Sequence, residues 1–144
     1  MKPSPELVLN QAFAKIAMEM GPALPAGYGQ GSATITGVLL LMVAQEFDRA
    51  ADIRVKENRA MRTLFAHAAQ AVDAGLAARL RAGAEGRDAD LSVAVLDRAN
   101  GELKKLLIEL HAYAEQSGDV ALERRILRFL CEAAAARQVF LPAM

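Results

Sequence analysis

Apolar positions recur along the chain at the three-and-four spacing of amphipathic helices. Leu9, Phe13, Ile16 and Met20 form the first series. It follows Ser4-Pro5-Glu6, which supplies an N-cap, a proline at the first helical position and an acid at the positive dipole end. Gly21 and Pro22 are expected to stop this helix, and residues 21–31, GPALPAGYGQG, read as a loop. Ser32 would cap the next helix.

That second helix carries two adjacent stripes. Leu40, Val43, Phe47, Ala50 and Ala51 make one, and Ile35, Leu39, Met42 and Ile53 the other. Two stripes predict burial on more than half the circumference, as in the central member of a bundle. No Gly or Pro interrupts residues 38–74, so the helix either runs on past Asn58 or bends near Glu57–Asn58. Asp73 can cap a short helix through Leu80, closed by Gly83 and Gly86, and residues 82–90 read as a second loop. Leu96, Ala99, Leu103, Leu106, Leu110 and Tyr113 mark a further helix. Gly101 lies inside it and implies a kink or a close backbone contact. Ser117-Gly118 ends it and Asp119 can cap the last helix, lined by Leu122, Ile126, Phe129, Ala133, Ala136 and Phe140 and stopping near Pro142. The fold class is therefore all-α: an antiparallel helical bundle of five to six helices, four of them long, in a single domain over residues 1–144.

Composition sharpens this picture. The chain has 144 residues, 30 of them Ala and 19 Leu, with no Trp. Alanine favours helix because it loses no rotamer freedom there. Lys plus Arg and Asp plus Glu both number 17, so no basic excess points to nucleic acid as a partner. The N-terminal residues do not read as a secretory signal, and the most apolar stretch, residues 35–44, is half the length of a bilayer span. No membrane insertion and a cytoplasmic location are expected.

Candidate chemistry is sparse. Gly27, Tyr28, Gly29, Gly31 and Ser32 run into an expected helix N-terminus, where free N–H groups suit an anion. No strand precedes them, as a dinucleotide fingerprint requires, so a plain crossover is the competing reading. Glu46 is in register with Leu39, Met42 and Ile53 and should be half-buried, with Arg49 three residues on as its partner. A structural ion pair is the expectation; a general base is the rival. With Asn58, His67 and His111 these residues make the only polar cluster that catalysis would draw on.

Neither histidine has Glu three residues before it, which excludes a ferritin-like di-metal motif. No metal and no cofactor are expected. Cys131 is alone and should be a buried hydrophobe. Asn100, between Leu96 and Leu103, can fix register, and Arg124, Arg125 and Arg128 form a small basic patch that suits an acidic group.

The stretch LDRANGELKKLLIELHAYAEQSGDVALERRILRFL, residues 96–130, resembles small all-helical bacterial proteins of unknown function, some encoded beside acyl-CoA dehydrogenases. The resemblance implies a helical fold and carries no site residues.

Three functional classes follow. The first is a self-associating accessory or interaction protein, a homodimer without catalysis, whose excess apolar face is buried between copies. The alternative is a binding module for a small apolar ligand, or one bearing an acyl chain or phosphate. Its pocket would be lined by Met18, Met20, Met42, Met61, Phe13, Phe47 and Phe65. The third is an enzyme using Glu46.

Overall fold

The structure, a computed structural model, describes residues 3–141, and every element within them is helical. Helix α1 (Pro5–Phe13) starts where the sequence predicts, with the Ser4 hydroxyl accepting from the Leu7 N–H. It then passes into a π-helical stretch, Ala14–Met20, and a final turn, α2 (Gly21–Ala23). Gly21 and Pro22 therefore do not stop the helix. Pro22 sits in the opening positions of α2, where its missing N–H costs nothing.

Helix α3 (Tyr28–Ala68) follows after only a short turn and runs unbroken for 41 residues. The remaining helices are α4 (Ala74–Glu85), α5 (Val93–Ser117) and α6 (Val120–Ala136). Asp73 caps α4 by accepting from the Gly75 and Leu76 N–H groups, and Asp119 caps α6 through Leu122. Helix α4 passes through Gly83, so the second loop begins only at residue 86. Gly118, in the left-handed conformation at φ 69°, closes α5, a role few side chains allow. Helix α6 ends at Ala136, short of Phe140. Pro142 lies outside the described residues.

The chain divides into two units, and the division falls inside α3, where the sequence offers no linker. The first comprises Met1–Ala50 with Val139–Met144. In it the π-helical stretch packs antiparallel on the first half of α3: a methyl group at Gly37 would lie 2.5 Å from Ala17 Cβ, and one at Gly21 3.6 Å from Ala33 Cβ. The lack of a Cβ at Gly37 allows this approach. The Gln45 side-chain amide also grips the backbone of Phe140, donating to its carbonyl at 2.7 Å and accepting from its N–H at 3.0 Å.

The second unit, Ala51–Gln138, holds the main core. Met61 and Phe65 of α3 meet Leu80 of α4, Leu107 and Leu110 of α5, and Ile126 and Phe129 of α6. Helix α6 runs antiparallel to α3, since Arg137 at its C-terminal end pairs with Glu57.

Candidate functional site

Three features are built from these elements. The first is a polar network inside the second unit. Asn58 of α3 is fully buried. Its Nδ2 donates to Asp88 Oδ1 at 3.0 Å and to the Leu96 carbonyl at 3.3 Å, and its Oδ1 accepts from Asn100 Nδ2 at 2.9 Å. One turn further along α3, Arg62 clasps Asp88 with both terminal nitrogens, at 2.8 and 3.2 Å. The Arg62 hydrogen bond is the main reason the Asp88 carboxyl is held below its ordinary value; burial works against it, and Asn58 assists Arg62.

Glu57 is buried between Lys104, at 2.8 Å, and Arg137. Burial alone would raise its carboxyl, but the two cations outweigh it and hold the group below its ordinary value. Arg54 pairs with Asp97. The groups of the network therefore engage one another, as a structural network requires. Among the described residues only Arg62 Nε is a buried side-chain polar atom without a hydrogen-bond partner.

The second feature is an apolar face on the first half of α3. Ile35 is 64% exposed, Leu39 55%, Val43 54% and Phe47 59%, with Met42 and Tyr28 on the same side. The spacing 35, 39, 43, 47 traces one ridge along the helix. Burial falls on the opposite side, at Gly37, Leu41 and Ala44. The two stripes expected to be buried are thus largely open here. The preceding helix covers this part of α3 from one side only, through the close contact of Ala17 with Gly37. Further along, Ala50 and Ile53 are buried as expected.

The third feature is an open groove of about 410 Å³ in the second unit. Helix α3 gives it Lys56, Arg59, Thr63 and His67, and α6 gives Arg125, Arg128 and Glu132. Ala60, Leu64 and Phe129 supply its apolar lining. Lys56 pairs with Asp52 one turn back, but no carboxylate of the described residues pairs with Arg59, Arg125 or Arg128.

The expected sites fare unevenly. Gly29, Gly31 and Ser32 lie inside α3, and the Gly31 N–H already bonds the Gly27 carbonyl at 3.2 Å. Ser32 therefore caps nothing, and of the five expected loop residues only Gly27 stays outside the helix. The first turn of α3, where helix N–H groups have no intrahelical partner, thus lies at residues 28–30.

Glu46 and Arg49 are half-buried in the first unit, whereas Asn58, His67 and His111 belong to the second. Asn58 and His67 also part company within α3. Nine residues separate them, about two and a half turns, which sets one in the core and the other on the surface. His111 stands 3.7 Å from Glu115, one turn further along α5. Cys131 is exposed, because α6 turns Ile126 and Phe129 inward and residue 131 outward.

The Met and Phe residues divide in the same way. Met61 and Phe65 are fully buried in the second unit, while Met18, Met20, Met42 and Phe47 are exposed in the first. Sequence reasoning gave no weight to Glu57, Asp88 or Lys104, whose partners lie at least 26 residues away.

Among the described residues no group of three His, Cys, Asp or Glu could hold a metal ion, and no helix is long and apolar enough to cross a membrane. No family model, no curated protein and no solved structure matches the chain.

Proposed function

We propose that this protein is a self-associating helical accessory protein of the cytosol, a homodimer that works by binding other proteins and carries no chemistry of its own. The exposed apolar ridge of α3 is the observation that carries the reading. Contiguous apolar surface of this kind marks an interaction site. A second copy is the partner, because a twofold axis would lay the apolar ridge of one copy along the same ridge of the other.

Native mass spectrometry combined with light scattering tests this. The expected mass is twice 15.4 kDa, falling to one copy in Leu39→Glu and Phe47→Glu with unchanged helical circular dichroism. A wild-type monomer at micromolar concentration would overturn the reading. A stoichiometric small-molecule adduct lost in the same variants would replace it with ligand binding at this face.

A further inference from the structure

The groove between α3 and α6 concentrates positive charge on a chain whose net charge is zero. Three of its guanidinium groups, those of Arg59, Arg125 and Arg128, have no carboxylate partner among the described residues, and Glu132 is its only acid. Exposed arginines left together repel one another, so an anionic occupant would relieve them.

The shape narrows the occupant. From Lys56 to His67 the α3 wall extends about 16 Å. The antiparallel course of α6 sets Arg125 and Arg128 towards the His67 end, away from Lys56 and Arg59. The cations are thus strung along the length and do not converge on one point, as a single phosphate would need. The site is also an open furrow, unlike the enclosed pockets that hold small ligands. The apolar part of its lining includes Ala60 and Leu64, at the i,i+4 spacing that receives a ridge of side chains. The described residues contain no strand edge to which an extended peptide could add.

We propose that this groove docks an acidic amphipathic helix of a partner protein. Apolar side chains of the partner would sit on Leu64 and Phe129, and its flanking Asp and Glu residues would meet Arg59, Arg125 and Arg128. Helix-in-groove binding of this kind needs about three turns of the partner. The inference rests on the second unit and does not depend on self-association.

The probe is a displayed library of helical peptides with a fixed i,i+4 leucine stripe and flanks varied among Asp, Glu, Ser and Lys. The expected result is enrichment of acidic flanks beside the stripe. Binding of the enriched peptides should fall more than about tenfold in Arg125→Glu with Arg128→Glu. Arg59→Gln should weaken it separately, and Arg98→Glu on the exposed surface of α5 should leave it unchanged. Circular dichroism checks that each variant is folded.

Absence of enrichment, or enrichment indifferent to the arginine variants, overturns the proposal. So does equal binding of sequence-scrambled acidic peptides, which would reduce the groove to a patch of charge. Arginine-dependent binding to phosphatidylserine vesicles with no peptide enriched would assign the groove to a membrane surface and also overturn it.

Discussion

Asn58 ties α3 to the segment after α4 and to α5. Both amide hydrogens and the oxygen are engaged, by Asp88, the Leu96 carbonyl and Asn100. Replacing it with leucine strands those partners in a buried site, so Asn58→Leu should lower stability by about 2–4 kcal/mol. Urea denaturation measures this, and Asn58→Leu combined with Asn100→Leu should recover part of the loss.

Acid should reach the same region. Asp88 and Glu57 both have folded-state values below their ordinary ones. Their contribution is therefore complete above the ordinary carboxylate range and is lost as pH falls through the depressed folded values. The urea midpoint should drop between about pH 6 and about pH 3. In Asp88→Asn the drop should be smaller, starting from a lower midpoint at about pH 6. Equal acid sensitivity in the two proteins would refute the assignment.

At the scale of elements, two glycines inside helices have opposite meanings. Gly37 is where α3 meets Ala17, and Gly37→Ala should cost about 1–3 kcal/mol by forcing the two backbones apart. Gly101 has open space around it in an unbroken α5, so the close contact that its sequence position suggests is absent. Gly101→Ala should stabilise by about 0.5–1 kcal/mol through helix propensity. Thermal denaturation of the two variants in parallel checks both signs.

Capping residues were legible because they act over three residues: Ser4, Asp73 and Asp119 all do what their spacing implies. The first helix misled for a related reason. Gly21 is buried against α3, so it serves as a contact residue inside the helix, which ends two residues later at Ala23.

For the whole molecule, the all-helical class and the inward stripes of α5 and α6 could be read from periodicity. Leu96, Leu103 and Leu110 are buried, as are Leu122, Ile126 and Phe129. The side of α3 that would be covered could not be read, because periodicity shows that a face is apolar and not what meets it. Ile35 and Ile53 look alike in sequence, yet only Ile53 is buried. The polar network was half visible. Asn58 and Asn100 stand out as amides among apolar neighbours, but their mutual bond spans 42 residues, beyond any local spacing rule. The arginine groove was visible from the α6 side alone, since Lys56 and Arg59 join Arg125 and Arg128 only through the packing of α3 on α6.

The grip of Gln45 on Phe140 has a consequence for how the sequence can drift. An amide that bonds a carbonyl and an N–H at once recognises the peptide unit and ignores the side chain attached to it. Residue 140 is thus free to change in everything except becoming proline, whereas position 45 is not free at all. Glutamate keeps the acceptor and loses the donor, and asparagine is one methylene too short. Selection on a contact between two residues would then leave its trace on only one of them, and a search for correlated substitutions would pass over the pair.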